Sequence, residues 1–343
     1  MKAMVLDRLV DLVQEEKPLR LAEVPIPVAG PHELLLEVLT CGVCHTELDE
    51  IEGRTPPSHF PAILGHQVVG RVVARGSQVK GIQMRSRVGV AWIHSSCGIC
   101  PPCLSGLENL CPSFRATGRD VNGGYAEYMT VPAEFAYSIP DIFSDAEAAP
   151  LLCAGAIGYR SLRLAELTEG QTLGLMGFGA SAHLCLQLVR YQHPDVRVFV
   201  FARKPEERAF AMELGAVWAG AIDEDPPELL SAIIDTTPVW NTVLRALECL
   251  LPGGRLVINA IRKEESDKSS LLDLDYPRHL WMEKEIKSVA NVTRRDVREF
   301  LAEAALIPIR PTVEEYPLEE ASRALLELKH HRVRGAKVLR VCY

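Results

Sequence analysis

The chain has 343 residues, which is long for a single hydrophobic core, so two domains that each bury a core are expected. Its 37 Lys and Arg against 45 Asp and Glu give a formal net charge of −8, which excludes the basic surface of a nucleic-acid or anionic-membrane binder. The N-terminal residues lack the pattern of a signal peptide, and no apolar stretch reaches the ~18 residues of a membrane span. We therefore expect a cytosolic location and a small-molecule partner.

Residues 1–150 are a series of short β-type runs broken by Pro and Gly, which predicts an irregular all-β domain. These runs are Leu34–Thr40, Val68–Ala74, Arg87–Ile93 and Tyr125–Val131.

In residues 151–290, apolar runs alternate with amphipathic stretches, which is typical of a parallel, doubly wound sheet. The runs are Thr172–Met176, Val196–Phe201, Ala232–Ile234, Arg255–Ile261 and Ile286–Ala290, and the stretches are Ser181–Tyr191, Glu206–Leu214 and Val239–Leu250. A helical segment, Arg295–Ala305, then leads to a β-type ending, Ala336–Val341. We expect residues 291–343 to complete the first domain.

A glycine-rich turn follows the run Thr172–Met176 and opens an apolar-periodic helix. In this turn Gly177 permits the tight bend, Gly179 lets the backbone approach a pyrophosphate, and Ala182 is small enough for close helix–strand packing. The turn predicts a dinucleotide site, with a plain strand–turn–helix as the alternative.

The second strand of this domain ends in Ala202-Arg203-Lys204, without the acid that usually binds the ribose hydroxyls. A missing acid beside an Arg admits a 2′-phosphate, so the sequence favours NADP(H) over NAD(H). The alternative is a solvated basic loop with NAD(H) as the cofactor.

Two groups of metal-ligating residues stand in the first part of the chain. The first has the spacing of a four-thiolate structural zinc knot, with disulfides as the alternative: Cys97, Cys100, Cys103 and Cys111. The second is dispersed and consists of Cys44, His66 and Cys153, a set that suits a catalytic zinc with an open fourth position. Spacing does not join these three, because each alone is more simply a buried thiol or a hydrogen-bonded histidine.

Six segments stand in an order that resembles the zinc-dependent medium-chain alcohol dehydrogenase family: CGVCHTE, LGHQVVG, CGICPPC with the later Cys111, NGGYAEY, PLLCAGAIGY and GFGASAH. The resemblance covers essentially the whole chain. It implies a GroES-like β-barrel catalytic domain (residues 1–150, completed by residues 291–343), a Rossmann domain (residues 151–290), and a catalytic zinc between them.

The resemblance also assigns roles to residues near the first ligand. It makes Cys44, His66 and Cys153 the catalytic zinc ligands, Thr46 the hydroxyl that takes the proton from the alcohol, and Glu47 the acid that orients the ligand histidine.

Further matches and departures concern four other positions. His45 takes the place of a basic residue near the pyrophosphate, and Trp92 resembles an aromatic that narrows the substrate pocket, with an ordinary core Trp as the alternative. Gln67 stands where the family often has an acid, which makes the zinc environment less negative. Asp49 replaces the family's relay histidine, which leaves the outer proton path to a carboxylate.

We therefore predict a zinc-dependent alcohol dehydrogenase or aldehyde reductase that transfers hydride between NADP(H), or NAD(H), and a small primary or secondary alcohol or carbonyl. Two zinc ions per chain and a homodimer or homotetramer are implied by the resemblance. A polyol or sugar dehydrogenase of the same family is disfavoured by the apolar pocket candidates Trp92, Ile93 and Ile157. A zinc-knot binding module without catalysis is disfavoured by the acidic balance and the glycine-rich turn.

Overall fold

The computed structural model describes residues 1–307, 309–330 and 334–342. The chain divides into two compact units, Met1–Cys153 with Val292–Tyr343, and Ala154–Asn291. The strands of the first unit are β1 (Lys2–Leu6), β2 (Arg20–Glu23), β3 (Glu33–Val43), β4 (Ala62–Ile63), β5 (Val68–Arg75), β6 (Arg87–Val90), β7 (Ile93–Ser95), β8 (Arg115–Ala116), β9 (Tyr128–Pro132), β10 (Ala136–Ser138), β17 (Val313–Pro317) and β18 (Ala336–Arg340). Its helices are α1 (His45–Ile51), α2 (Pro101–Leu104), α3 (Asp145–Pro150), α9 (Arg294–Leu306) and α10 (Ala321–Lys329).

The main sheet of the first unit has seven strands, in the order β10-β6-β5-β3-β18-β17, with β9 also paired to β3. Along β3, Leu34, Leu36 and Val38 are fully buried and alternate with half-buried residues, because one face of the strand packs on the core. The last four residues of β3 are all buried and lead directly into α1. The C-terminal strand β18 pairs antiparallel with this part of β3, from Lys337 opposite Val43 to Arg340 opposite Thr40.

Two of the expected strands in this unit differ in the structure. The run Arg87–Ile93 is broken at Ala91-Trp92 into β6 and β7, because β6 pairs with β5 and β10 whereas β7 pairs with β8. The run Tyr125–Val131 enters the ladder only at Tyr128, because Tyr125 bonds through its backbone to Leu64 and Met4.

The second unit holds the remaining elements. Its strands are β11 (Thr172–Met176), β12 (Arg197–Phe201), β13 (Trp218–Gly220), β14 (Leu230–Asp235), β15 (Leu250–Ile258) and β16 (Glu285–Ser288). Its helices are α4 (Ala156–Ala165), α5 (Ala180–Gln192), α6 (Pro205–Glu213), α7 (Asn241–Cys249) and α8 (Tyr276–His279). A π-helical turn, Leu151–Gly155, joins α3 to α4.

The six strands of the second unit form one parallel sheet in the order β13-β12-β11-β14-β15-β16. All five residues of β11 are buried, as expected for a central strand that is covered on both faces. This strand order is that of a Rossmann sheet, in which ligands bind at the carboxyl ends of the strands. In the part of the chain that the structure describes, no helix combines the length and apolar character needed to cross a membrane.

Candidate active site

The three dispersed donors come from three different local structures and meet in space. Cys44 precedes the first residue of α1, His66 lies just before β5, and Cys153 lies in the π-helical turn. One ligand atom of each lies within 4.8 Å of the other two, and His66 Nε2 is 3.2 Å from Cys153 Sγ. Donors around a tetrahedral zinc ion would be roughly 3.5–3.8 Å apart at ordinary Zn–S and Zn–N bond lengths. The set therefore fits zinc, and among the residues that the structure describes none supplies a fourth ligand atom there.

Glu47 fixes the orientation of His66. Its Oε1 lies 2.6 Å from Nδ1 of His66, and its Oε2 accepts the backbone N–H of Cys44 at 2.8 Å. Both side chains are buried. Because Nδ1 is turned to the carboxylate, Nε2 is the ring nitrogen that faces the thiols. Hydrogen bonds from Cys153 and then from His66 lower the pKa of Cys44 well below its ordinary value, which favours the thiolate that a metal requires.

The residues of α1 that follow the first ligand differ in their surroundings. Thr46 is buried, with its Oγ1 3.6 Å from Cys44 Sγ, whereas His45 is exposed. Asp49 Oδ1 accepts a hydrogen bond from Nε of Arg54 at 2.5 Å. Burial raises the pKa of Asp49, while the ion pair with Arg54 opposes that shift. The carboxylate at the relay position is therefore engaged by a neighbouring guanidinium.

Gln67 and Trp92 are both buried in the first unit. The Gln67 side chain packs so closely on Gly42 of β3 that a Cβ at Gly42 would come within 2.8 Å of it. The Trp92 ring lies 5.3 Å from the ring of Phe114, centroid to centroid, and the Arg119 guanidinium lies 5.2 Å over its face. Trp92 thus belongs to the hydrophobic core of the unit, and its contact with a substrate stays a prediction.

The four-cysteine group is compact and fits a structural zinc. The four Sγ atoms all lie within 4.8 Å of one another, and Cys97 Sγ is 3.9 Å from Cys103 Sγ. All ten cysteines of the chain are free thiols in the structure. Backbone N–H groups of Ile99 and then Cys100 lower the pKa of Cys97 to about 6, so this thiolate forms readily.

The glycine-rich turn has the backbone that a pyrophosphate site needs. Gly177 has φ +81°, and a Cβ there would lie 2.9 Å from Thr236 Oγ1. Gly179 is the N-cap of α5 and has open space where a Cβ would stand, whereas Ala182 is fully buried. The N-terminus of this thirteen-residue helix is thus accessible to an anion over Gly179.

The strand end beside this turn has no carboxylate. Ala202 follows β12, is buried, and donates its N–H to the carbonyl of Gly220 at 2.9 Å. Arg203 is exposed, and Lys204 is half-buried as the N-cap of α6. The two residues that directly follow Ala202 are therefore cations, and Glu206 and Glu207 come after them in the first turn of α6.

The family model described as "Alcohol dehydrogenase GroES-like domain" matches residues 30–141. "Probable alcohol dehydrogenase AdhA" of Mycobacterium tuberculosis (strain CDC 1551 / Oshkosh) is 45% identical over 94% of this chain and 92% of that protein. An alcohol dehydrogenase of Geobacillus stearothermophilus is 32% identical over 95% of this chain and 96% of its own. The chain belongs to the zinc-dependent medium-chain alcohol dehydrogenase family.

A solved structure from Sinorhizobium meliloti 1021, named as a zinc-binding dehydrogenase bound to NADP, matches this alcohol dehydrogenase with a TM-score of 0.84. The two are 25% identical, and the match covers 99% of this chain and 98% of the other. The predicted fold class, a GroES-like domain with a parallel Rossmann sheet, is confirmed. The protein is an NAD(P)-dependent oxidoreductase that acts on alcohols.

The sequence did not single out Glu50, which lies one helical turn after Glu47 on α1. Glu50 is fully buried, and both of its carboxyl oxygens lack a hydrogen-bond partner among the residues that the structure describes. Burial, together with the negative charge of Glu47, raises the pKa of Glu50 well above its ordinary value. The only available signal was its position three residues after Glu47, which places both side chains on one helix face.

Two arginines near the site were also missed. Arg54 pairs with Asp49 and also bonds Glu52 Oε2 at 2.7 Å, and Arg119 lies over Trp92 while it pairs with Asp120 at 2.7 Å. Both pairings depend on loop conformations that follow α1 and β8, which local periodicity does not specify.

Proposed function

We propose that this alcohol dehydrogenase reduces small aldehydes or ketones, and oxidises the corresponding alcohols, with a preference for NADP(H). The observation that carries the proposal is the open donor set Cys44, His66 and Cys153, with Glu47 bonded to its histidine and the Thr46 hydroxyl beside its first sulfur. When bound there, zinc would supply a Lewis acid that polarises the substrate oxygen. The knot Cys97, Cys100, Cys103 and Cys111 would hold the second, structural ion.

Thr46 is the group placed to move the proton of the substrate hydroxyl. Its Oγ1 lies 3.6 Å from Cys44 Sγ, so a substrate oxygen directed at the donor set would lie beside it. A hydroxyl both donates and accepts, so in oxidation Thr46 would accept the substrate proton while it passes its own proton on to solvent, and in reduction both transfers run in reverse. Asp49 lies one turn further along α1, where burial raises its pKa and the ion pair with Arg54 opposes that rise.

The glycine-rich turn is the proposed dinucleotide site, and the bound nicotinamide ring would accept or give the hydride. The open backbone at Gly179 would hold the pyrophosphate at the N-terminus of α5. At the end of β12, Arg203 is exposed and free to meet a 2′-phosphate, and Ala202 presents no charge that would repel it. His45 stays an additional candidate for a pyrophosphate contact.

The preferred substrate is a short aliphatic or aromatic alcohol or carbonyl, since Trp92 and Ile93 are apolar and buried in the zinc-bearing unit. We also expect a homodimer or homotetramer in solution, which light scattering of the purified protein would measure. A reducing compartment such as the cytosol suits a chain whose ten cysteines are all free.

A substrate panel with both cofactors tests the proposal. We expect about two zinc atoms per chain by elemental analysis, and oxidation of NADPH, followed at about 340 nm, when small aldehydes are added. NADPH should be used at least about tenfold more efficiently than NADH by kcat/KM, because one charge-assisted hydrogen bond is worth roughly 1.5–3 kcal/mol.

A double variant tests the cofactor preference. Ala202→Asp adds a carboxylate that can accept hydrogen bonds from the ribose hydroxyls, and Arg203→Ile removes the proposed partner of the 2′-phosphate. This variant should prefer NADH. A wild type that prefers NADH would overturn the cofactor assignment alone, whereas absence of turnover with every alcohol and aldehyde in a protein with full zinc content would overturn the proposed reaction.

A further inference from the structure

A buried ion pair in the second unit lies next to the glycine-rich turn and has no part in the function described above. Asp235, the last residue of β14, is fully buried, and Nζ of Lys263 donates to its Oδ2 at 2.5 Å. Lys263 follows β15 and has only 7% of its side chain exposed. Both residues stand at the carboxyl ends of neighbouring parallel strands, the edge of a Rossmann sheet at which dinucleotides bind.

Every polar side-chain atom of Asp235 and Lys263 makes at least one hydrogen bond. Besides Asp235, Lys263 Nζ donates to the backbone carbonyls of Thr237 and Val239, each at 2.9 Å. Asp235 Oδ1 accepts from the backbone N–H and the hydroxyl of Thr237, and Oδ2 also accepts from the Thr242 hydroxyl at 3.1 Å. A buried ion pair contributes little net stability compared with apolar residues, but a fully bonded one fixes a backbone conformation.

The backbone that this pair fixes lies against the glycine-rich turn. Thr236 donates both its N–H and its hydroxyl to the carbonyl of Met176, the residue before Gly177. A Cβ at Gly177 would lie 2.9 Å from Thr236 Oγ1 and 3.1 Å from Thr237 Cγ2. The segment from Asp235 to Thr237 therefore packs directly against Gly177, the first glycine of the turn. A shift of this segment would displace that glycine.

We propose that Lys263 is a positioning residue for the nicotinamide dinucleotide. Through its bonds to Asp235 and Thr237 it fixes the segment from Asp235 to Thr237, which sets the position of Gly177. This inference rests on the proposed dinucleotide site at that turn. Lys263 bonds two carbonyls in addition to the carboxylate. An apolar side chain at this position would therefore remove the hydrogen bonds that connect the loop after β15 to the loop after β14.

The test measures binding of NADPH to the zinc-loaded protein by the change in nicotinamide fluorescence, together with the melting temperature. Lys263→Met should raise the Kd for NADPH at least tenfold and raise the KM for NADPH in parallel, while the KM for the aldehyde changes less than twofold. Lys263→Arg should recover part of the affinity, since a guanidinium also donates to a carboxylate and to carbonyls.

Two further variants separate positioning from simple stability. Lys263→Met combined with Asp235→Asn removes the unpaired buried charge, so it should fold even where the single variant does not, and it should still bind NADPH at least fivefold more weakly. Arg255→Met is the matched control, because Arg255 pairs with Glu285 at 2.8 Å on the same sheet but where the pairing of β15 with β16 begins, away from the carboxyl ends of the strands. It should lower the melting temperature without a change in Kd.

An unchanged Kd for NADPH in both Lys263 variants, with a lower melting temperature, would overturn the positioning role and leave the pair as a structural tie. Equal losses of affinity in Lys263→Met and Arg255→Met would overturn it as well. If the wild type itself binds neither NADPH nor NADH, the proposed dinucleotide site fails, and that result is distinct from a failure of Lys263.

Discussion

Glu47 lies 2.6 Å from Nδ1 of His66 through its Oε1, and the same carboxylate accepts the backbone N–H of Cys44 at 2.8 Å. One acid therefore connects two of the three proposed ligands. We expect Glu47→Leu to weaken zinc binding at this site by roughly 10- to 100-fold, which is the usual effect of losing the partner of a ligand histidine. Competition with a chelator would measure the affinity, and the knot zinc of the same molecule is the internal control. If the zinc affinity of the site formed by Cys44, His66 and Cys153 were the same in the variant as in the wild type, the orienting role of Glu47 would be contradicted.

The two thiolate groups should respond differently to the loss of one cysteine. Cys153→Ser removes one of three donors from the open site, so we expect one zinc per chain, a folded protein and loss of most turnover. Cys103→Ser leaves three thiolates in the knot, so we expect the melting temperature to fall before turnover does. Elemental analysis with a thermal melt distinguishes these outcomes. A knot variant that has lost its zinc but melts like the wild type would show that the knot is not structural.

The sequence predicted the parts of the site that are encoded locally. The knot is predicted from the spacing of Cys97 to Cys111, and the glycine-rich turn is predicted from one strand–turn–helix segment, so both predictions need no knowledge of the fold. His66 and Cys153 are 87 residues apart in the chain, and only the family resemblance joined them before the structure showed their contact.

The features that the sequence did not predict are consequences of tertiary packing. Glu50 has a polar side chain in a short helix, where the natural expectation is exposure, yet the fold buries it completely. Lys263 lies in a segment rich in charged residues, and nothing in the local sequence shows that its ammonium group turns inward to Asp235. Burial of a charged group depends on which distant carboxylate or carbonyl meets it, and no periodicity carries that information.

Thr46 and Asp49 should differ in their effect on turnover. Thr46→Ala removes the hydroxyl beside Cys44 Sγ, so we expect turnover to fall by roughly 10²–10⁴-fold with unchanged zinc content. Asp49→Asn should have a milder effect, because Asp49 is already held by Arg54 and bulk water replaces it as the final proton acceptor. Steady-state kinetics and zinc analysis of both variants provide the test. Equal losses in the two variants would make Asp49 an obligatory part of the proton path.

His183 should make the stability of the protein depend on pH. It is fully buried on α5, its Nδ1 lies 3.3 Å from the carbonyl of Gly179, and burial lowers its pKa to about 4. Because the pKa in the folded state lies below the ordinary value of about 6.5, the unfolded chain binds the proton more tightly. The stabilisation is complete above pH ~6.5 and is lost as the pH falls toward the folded pKa, with roughly 2 kcal/mol lost by pH 5.

Urea unfolding of the wild type and of His183→Leu at pH 7.5 and pH 5 would measure this effect. The wild type should lose more stability between the two pH values, by roughly the 2 kcal/mol that titration of this histidine supplies. His94, whose pKa burial likewise lowers to about 4, acts in the same direction but is present in both proteins and cancels in the comparison. Leu186→Ala is the control, since it removes buried apolar atoms from the same helix and should cost about 2–5 kcal/mol equally at both pH values. An identical pH dependence in the wild type and His183→Leu would show that His183 does not titrate against folding.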